Sequence, residues 1–360
     1  MVAAAAFAAF ALRDPGVGPW PQLPPANAGV LRALGRWDSA WYLEIAGHGY
    51  RHLSIAPGGD ASHAFFPLFP WVLQGAAWLT SSPLLITGLT LTFVFGAVST
   101  VFVYMLVADT CGTEAARRAA ALFCFFPGAF VLSMVYAEPL MLAAATGSIL
   151  AFLRRRWIVS GLLGAVAVAT RPNAAVLILA FTWCAVVASR RGESRRQFIA
   201  PALTAVGFVA VVMYQWVDTG HVFEWVRVEK RSWGDHFGLT LQAAHRFTDF
   251  VTSGPVGLHQ GQLNDLVWAA GWVIGLIGVC LLVRSGLPTV LKIYGAAALA
   301  FACLSYNVGP RPRMLLSAFP VVIAMAVSTR GRAFRGLLFA SAVGLGALSL
   351  ITFTTLAAVP

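Results

Sequence analysis

An aspartate between two tryptophans is the residue of this sequence best placed to take part in chemistry. It is Asp38, in the stretch RWDSAWYLEIAGHGY. Trp37, Trp41 and Ile45 recur at the i, i+4 and i+8 positions and predict one apolar stripe of a short helix. Asp38 and Tyr42 form an i, i+4 pair on the adjacent face, which we expect to line a cavity.

This position allows two interpretations of Asp38. In the first turn of a helix, the positive end of the helix dipole favours the charged carboxylate, which can accept a proton from a substrate. The flanking aromatic rings can stack on a sugar face and exclude water. The alternative is that Asp38 only caps the helix, a role that needs no flanking tryptophans.

Three arginines stand where a charge is costly. Arg171 interrupts the apolar run around ATRPNA, and a charge inside a span costs at least ~2.5 kcal/mol, so we expect it to face a polar cavity. Pro172 and Asn173 indicate a broken helix end there. Arg311 and Arg313 lie at the end of another predicted span, where extension to lipid headgroups is the alternative to a functional role.

Other candidates have a plain structural alternative. Glu138 lies between two apolar segments, where it either orients an arginine or a sugar hydroxyl, or forms the solvated turn of a helical hairpin. His63 and His48 flank an aromatic segment, and packing or capping is the alternative for each. Residues 221–238 mix charged and aromatic side chains, and either cover a substrate or form a solvated lid without a direct role.

The elements that must position these residues are membrane helices. The 360 residues are 59% hydrophobic and 11% charged, whereas a soluble domain has about 25% charged residues. Backbone groups cannot stay unpaired in lipid, so an all-α, polytopic membrane helical bundle in one domain, residues 1–360, is predicted, with about eleven spans. The runs that are long enough to cross a bilayer are residues 84–108, 119–135, 198–217, 266–283 and 337–356.

The distribution of arginine predicts the orientation of the bundle. Basic residues cluster in several short connectors, and when Asp109 and Glu114 beside the first connector are counted with them, they carry the whole formal excess of +11. Because cytoplasmic loops retain Lys and Arg, we place these connectors in the cytoplasm, and a nucleic-acid partner is not needed to explain the charge. Residues 13–83 then form a first outer loop and residues 218–264 a second. The connectors are residues 117–118, 154–156, 190–196, 284–292 and 330–335.

The first outer loop is expected to carry interfacial helices. Residues 63–80 contain Pro67, Pro70 and clustered aromatic side chains, which suit a helix lying in the headgroup layer. Residues 1–12 rise only ~18 Å as a helix, which is short for a span, and they lack the basic region of a signal peptide, so we do not expect one here. The five cysteines show no Cys-x-x-Cys or Cys/His spacing and predict neither disulfides nor a zinc site.

Several motifs together resemble one known family. RWDSAWYLEIAGHGY, HAFFPLFP, MVYAEPLM, ATRPNA and PRPRMLLSAFP occur in the order typical of PIG-V-type mannosyltransferases, integral-membrane enzymes of the GT-C superfamily. Together these motifs extend over most of the chain. The sequence departs from the family pattern at Ala137 and Pro139, where serines are commoner, and at Pro172, where serine is often found.

The resemblance implies a fold and a reaction. The amino end should be cytoplasmic and the first outer loop large, in agreement with the charge distribution. Mannose should pass, with inversion, from a polyprenyl-phosphate-mannose donor to an acceptor hydroxyl on the outer face of the cell membrane. Neither a nucleotide sugar nor an obligatory metal cofactor is implied, and the predicted outer loops contain no Asp-x-Asp pair.

The implied reaction gives each candidate a role. The acceptor hydroxyl must lose a proton as the bond forms, and we expect Asp38 to be the general base. The leaving group is a lipid phosphate, so the site needs cations rather than a general acid, and Arg171, Arg311 and Arg313 can supply them. The remaining residues expected to bind substrate are Arg36, Trp41, Tyr42, His63, Glu138 and Asn173.

Two alternatives remain open from the sequence. A transporter or flippase of lipid-linked sugars should place polar residues near the bilayer midplane and show related halves, whereas here the polar residues collect at predicted outer helix ends. A GT-C transferase for another sugar, such as arabinose or glucose, differs only in the details of the pocket, and only the resemblance favours mannose. The acceptor is left open among glycolipid, polysaccharide and protein.

Overall fold

The computed structural model shows a helical protein, as the composition predicts. No strand occurs among the residues it describes, where one isolated β-bridge joins Phe237 to Ser305. The prediction for residues 1–12 and parts of both predicted outer loops lie outside the described residues. The residues described are 2, 31–50, 61–238, 252, 260–306 and 309–354.

Helices in the first half of the chain begin and end at residues suited to those positions. Pro67 and Pro83 directly precede two helices, where a missing amide hydrogen costs nothing. Gly112 ends another at φ 87°, a left-handed value that glycine adopts without strain. The helices are α1 (Leu31–Leu34), α2 (Asp38–His48), α3 (Leu68–Thr80), α4 (Leu84–Cys111), α5 (Thr113–Phe125), α6 (Glu138–Leu153) and α7 (Trp157–Thr170).

The second half continues the bundle and adds short helices at one end of it. Short 3-10 segments join several of the helices, at Ser62–Ala64, Pro127–Ser133, Pro172–Ala175 and Arg195–Phe198, and a π-helical turn covers Glu229–Trp233. The α-helices are α8 (Val176–Arg190), α9 (Ile199–Thr219), α10 (Glu224–Val228), α11 (Gln260–Arg284), α12 (Thr289–Leu304), α13 (Pro312–Ser317), α14 (Phe319–Ser328) and α15 (Gly331–Thr354).

Four of the five predicted long spans coincide with single helices. Residues 84–108 lie in α4, 198–217 lie mainly in α9, 266–283 lie in α11, and the described part of 337–356 lies in α15. Within the described ranges, five helices are long and apolar enough to cross a membrane, or six if one bent pair counts as a span. The chain is therefore a multi-pass membrane protein, and the structure does not confirm the predicted number of eleven spans.

The predicted span at residues 119–135 is wrong as a single straight helix. It is broken between α5 and the 3-10 segment Pro127–Ser133, with a bend of 74°. Pro127 lacks an amide hydrogen and its ring would clash with the preceding turn, and Phe126 before it is extended, at φ −62° and ψ 144°. The break brings this segment against α13.

The two ends of the bundle carry different side chains. At one end Arg154 binds Asp109 at 2.9 Å, and the Arg118 guanidinium lies 5.9 Å from the ring centroid of Phe334. These residues belong to three of the basic stretches singled out in the sequence. Glu138 begins the 16-residue helix that ends just before Arg154, so about 24 Å of helix separates it from that basic end.

The segment predicted to be interfacial contains a short helix, α3. Its 13 residues rise about 20 Å, less than the ~30 Å of a hydrocarbon core. Phe69 and Leu73 are fully buried against the bundle, whereas Trp71, Trp78 and Leu79 are exposed. This arrangement has one apolar face available for lipid, and its placement in the headgroup layer stays a prediction.

Candidate active site

An unusual backbone conformation at Trp37, just before α2, sets the position of Asp38. Trp37 precedes the helix at φ 60° and ψ −133°, in a region that costs a non-glycine residue about 1–3 kcal/mol. The end of α15 holds it there, because the Trp37 indole Nε1 donates to the carbonyl oxygen of Thr352 at 3.1 Å. Arg36 donates to the carbonyl oxygen of Phe353 at 2.9 Å. Contacts made by the last helix thus fix the start of α2.

Asp38 pairs with an arginine rather than capping its helix. Its carboxylate accepts a hydrogen bond from Arg313, and Trp37, the residue before α2, makes no side-chain cap. The Asp38 side chain keeps 17% of its surface exposed. The arrangement leaves the carboxylate accessible while setting its direction.

Glu138 lies behind this pair and holds two arginines. Its carboxylate is 1% exposed and lies 2.8 Å from a terminal nitrogen of Arg171 and 3.9 Å from one of Arg313. The interpretation of Glu138 as a solvated turn is therefore wrong. A buried carboxylate shared by two guanidiniums fixes their positions and offsets part of the cost of burying them.

A helix break presents Arg171 and Asn173 at the same place. α7 ends at Thr170, Arg171 is extended, and a 3-10 turn begins at Pro172, as the ATRPNA motif predicts. Asn173 is 7% exposed. Its carbonyl oxygen Oδ1 is buried and accepts no hydrogen bond among the described residues, so it is available to a ligand.

Arg311 and Arg313 are carried by the start of α13. Both residues are 7% exposed. The alternative interpretation, in which these arginines extend to lipid headgroups, is therefore wrong for this pair. The approach of the 3-10 segment to α13 requires a glycine, because a Cβ on Gly128 would collide with the carbonyl oxygen of Pro312. Close backbone packing therefore places Arg313 beside Asp38.

These side chains line one cavity of about 290 Å³, near the lower limit of roughly 300 Å³ for small-molecule sites. We call one side of it the arginine wall, formed by Asp38, Arg171, Arg311 and Arg313, with Asn173 beside them. The wall itself carries three guanidiniums and one carboxylate, so it favours an anionic group.

The opposite side, which we call the lid wall, comes from the second loop. It contains Trp225, Glu229, Trp233 and Asp235. The sequence left a role for residues 221–238 undecided, and none of these four residues was singled out there. The signal that could have found them is the mixture of carboxylates and tryptophans between two apolar runs.

Hydrogen bonds hold the lid wall to the end of α12. The Ser305 hydroxyl donates to the Asp235 carboxylate at 2.7 Å, and the amide of Gly238 donates to the carbonyl oxygen of Leu304 at 2.9 Å. The His236 ring stacks on Tyr306 with centroids 4.4 Å apart. The lid wall therefore lies in a fixed position over the cavity.

Aromatic rings of the first loop form the floor between the two walls. Tyr42 lines the cavity and meets Phe65 edge to face at 5.1 Å. Burial raises the pKa of the Tyr42 phenol, which therefore stays neutral at ordinary pH. Trp41 is not among the described residues that line the cavity, and its role in binding stays a prediction. It stacks on Phe65 at 5.6 Å and meets Trp233 at 5.9 Å, so it supports the cavity from behind.

Other predicted residues also lie away from the cavity. Arg36 binds the end of α15, as described above. His63 binds Asp218, with Nε2 and Oδ2 2.9 Å apart, and its carbonyl oxygen accepts from Gln215 at 2.9 Å. His48 is exposed and pairs with Glu44 on its own helix. Arg36 and His63 therefore join separate parts of the chain, and their roles in binding stay predictions.

Glu229 has an unusual acid–base property. Burial, followed by the nearby charges of Asp235 and Asp38, raises its pKa to about 7, and Arg171 and Arg313 act in the opposite direction. Across the part of the chain that is described, no group of three His, Cys, Asp or Glu side chains is placed to hold a metal ion.

Solved structures of similar shape define the class. ArnT from Cupriavidus metallidurans bound to undecaprenyl phosphate matches with a TM-score of 0.55 and 14% identity, over 95% of this chain and 61% of that one. ArnT in the apo state matches with a TM-score of 0.50 and 12% identity, over 94% and 60%. The protein thus shares its membrane fold with ArnT.

Sequence comparison identifies the family. Residues 9–190, about half of the chain, match the family described as mannosyltransferase (PIG-V), and the chain belongs to that family. GPI alpha-1,6-mannosyltransferase 2 from Cricetulus griseus is 35% identical over 161 residues, 42% of this chain and 31% of that protein. The Mus musculus protein of that name is 33% identical over 174 residues, 43% and 34%. The chain matches about a third of the length of these curated relatives.

Proposed function

We propose that this protein is a mannosyltransferase that moves mannose, with inversion, from a polyprenyl-phosphate-mannose donor to an acceptor hydroxyl. One observation carries the proposal: Asp38 shares a cavity with Arg171, Arg311 and Arg313. A carboxylate can take a proton from an attacking alcohol, and guanidiniums can hold a departing phosphate. Membership of the PIG-V family supports mannose as the transferred sugar.

In the proposed reaction Asp38 is the general base. The acceptor oxygen attacks the anomeric carbon, its proton passes to the Asp38 carboxylate, and the bond between that carbon and the phosphate oxygen breaks. The electron pair of the broken bond stays on the phosphate. A single displacement with attack opposite the leaving group inverts the anomeric carbon, and it needs one base and no covalent enzyme intermediate.

The arginines stabilise the leaving phosphate. Arg313 is bound by Asp38 in the structure, and Glu138 lies close to both Arg313 and Arg171. A carrier phosphate offers the Arg313 guanidinium a second anionic partner. Sharing this cation with the phosphate weakens its hold on Asp38, so donor binding prepares the carboxylate to accept a proton. Asn173 can accept a hydrogen bond from a sugar hydroxyl through its buried Oδ1 on the same wall.

The charged ends of the bundle support an active site on the outer face of the cell membrane. The cavity lies at the Glu138 end of α6, whereas Arg154 and its basic neighbours lie at the other end. Short cytoplasmic connectors commonly retain arginine, which supports our proposal that the basic end faces the cytoplasm and the cavity faces outward. The same rule supports the cytoplasmic amino terminus predicted from the sequence.

The partners we propose are a lipid-linked donor and a hydroxyl-bearing acceptor. The ArnT structure contains undecaprenyl phosphate, which supports a polyprenyl phosphate carrier for a chain of the same fold. The acceptor is a glycolipid, polysaccharide or protein. The chemistry described above uses side chains for both proton transfer and charge stabilisation, and we propose that no obligatory metal takes part.

An assay with purified carriers tests the proposal. The full chain in lipid nanodiscs is given radiolabelled polyprenyl phosphate carrying mannose, glucose or arabinose, with and without a chelator. We expect release of mannose from its carrier to water or to an added alcohol, unaffected by the chelator. Preferred use of another sugar would reject the mannose assignment. Movement of intact carrier across a bilayer without sugar release would favour a flippase.

A further inference from the structure

The lid wall contains a carboxylate for which the described residues provide no side-chain partner. Glu229 lines the cavity at the start of the π-helical turn Glu229–Trp233. Val228 beside it is fully buried in a hydrophobic cluster with Trp41 and Phe65, and this packing fixes the turn over the cavity. The Glu229 backbone is held as well, because its carbonyl oxygen accepts from the Asp235 amide at 3.1 Å.

Other acidic residues that line this cavity are engaged. Asp38 accepts from Arg313, and Asp235 accepts from Ser305. Among the described residues none donates a hydrogen bond to the Glu229 carboxylate or forms an ion pair with it. Its pKa is raised to about 7, chiefly by burial. Partial burial of a carboxylate without a partner costs folding free energy. Carboxylates in such positions are commonly found at binding and catalytic sites.

The charges of the two walls suit different ligands. Guanidiniums of the arginine wall favour the donor phosphate, whereas Glu229 and Asp235 repel a second phosphate and accept hydrogen bonds from hydroxyl groups. Trp225 and Trp233 add ring faces beside these carboxylates. An uncharged sugar has hydroxyl groups that can donate to such carboxylates and apolar C–H faces that can stack on such rings.

We propose that Glu229 is a positioning residue for the acceptor, whose carboxylate accepts hydrogen bonds from hydroxyl groups of an uncharged sugar held against the lid wall. This inference rests on the proposed function and deepens it. The proton lost in the transfer still passes to Asp38, and Glu229 keeps its own protonation state through the reaction. The lid wall thereby selects the acceptor, and the arginine wall selects the donor.

The experiment separates the acceptor side from the donor side. Wild-type protein, E229Q, E229D and the control E224Q are compared in nanodiscs with radiolabelled polyprenyl-phosphate-mannose. Octyl mannoside and octyl glucoside serve as acceptor probes, and mannose release to water without a probe reports the donor side. Glu224 is a matched control because it lies on adjoining α10, does not line the cavity, and pairs with Arg227.

We expect E229Q to raise the acceptor KM about tenfold or more, because a hydrogen bond to a charged group is lost. Release of mannose to water and the donor KM should stay within about twofold of wild type. E229D should give an intermediate acceptor KM, and E224Q should match wild type. An unchanged acceptor KM in E229Q would overturn the inference, and so would a parallel loss of release to water.

The pH dependence of the acceptor KM gives an independent test. The acceptor KM should rise as the pH falls through about 7, because protonation removes the charge of Glu229, and in E229Q this dependence should disappear. A pH dependence that persists in E229Q would contradict the assignment. The charged or titratable side chains that line the same cavity are Asp38, Tyr42, Arg171, Asp235, His236, Arg311 and Arg313.

Wild-type results also distinguish failure of this inference from failure of the proposed function. Release of mannose to water with no use of either glycoside would reject an uncharged sugar acceptor and leave the donor chemistry standing. Absence of any release from the mannose carrier would reject the proposed function itself, and the role of Glu229 with it.

Discussion

The arginine wall and the lid wall face the same cavity but are built in different ways. Asp38, Arg171 and Arg313 stand at the ends of helices, and ion pairs with Glu138 and with each other fix their geometry. The lid wall lies on two short helical turns, held by a few hydrogen bonds to residues 304–306. Hydrophobic packing of Val228 and Trp233 adds to these hydrogen bonds, whereas the arginine wall depends on its ion pairs.

This difference indicates a division of labour. A reaction centre must hold its charged groups within fractions of an ångström, which buried ion pairs between packed helices can do. An acceptor site can tolerate more variation, and a loop between spans can change without disturbing the bundle. We therefore expect changes in the arginine wall to affect turnover and donor binding, and changes in the lid wall to affect the acceptor.

The largest effect is expected from Asp38→Asn. Loss of the proposed general base should lower turnover about 10²- to 10⁴-fold, and both the water and the glycoside reactions should be affected. The measurement is single-turnover release of mannose in nanodiscs. Glu44→Gln is the matched control on the same helix, because Glu44 pairs with His48 away from the cavity. Turnover in D38N close to that of E44Q would exclude Asp38 as the base.

A smaller effect is expected from Arg313→Ala. Removal of one charged donor to the carrier phosphate should raise the donor KM about 10- to 100-fold, while the acceptor KM changes little. Arg313→Lys keeps the charge and should recover part of the loss. Arg154→Ala removes an ion-paired arginine at the opposite end and is the control. An effect of R313A on the acceptor KM alone would reverse the assignment of the two walls.

The smallest effect is expected from Ser305→Ala. Loss of its hydrogen bond to Asp235 should loosen the lid wall and raise the acceptor KM about threefold, with unchanged release of mannose to water. Ser285→Ala, which removes a bond to the Leu282 carbonyl oxygen outside the cavity, is the control. If S305A lowers release to water as much as acceptor use, the two walls do not act separately.

Much of the bundle and part of the site could be predicted from the sequence. Apolar length identified α4, α9, α11 and α15, because hydrophobic runs and backbone hydrogen bonding act locally. The cost of an isolated charge in an apolar run marked Arg171 as a cavity residue. The bend at Pro127 was missed, although proline is itself a local signal, because the apolar run continues through it.

The sequence reached its limit at long-range contacts. Arg36, Trp41 and His63 lie within or near the aromatic motifs of the first loop, yet none of them lines the cavity. Neighbours in a motif share a stretch of chain, whereas a cavity collects side chains by direction and packing. The sequence did not predict that Glu229 lines the cavity, because an acidic residue in a loop is commonly solvated. Only the fold brings it into the same cavity as Asp38.

By itself, the sequence determined a helical membrane protein of the PIG-V family and the types of residue that its chemistry requires. The tertiary structure decided which of them meet. Asp38 and Arg313 are 275 residues apart, and their pairing depends on the contacts of α15 with Trp37 and of Gly128 with α13. Periodicity and charge cost are properties of neighbouring residues, whereas the direction of a side chain in a cavity is set by every helix packed around it.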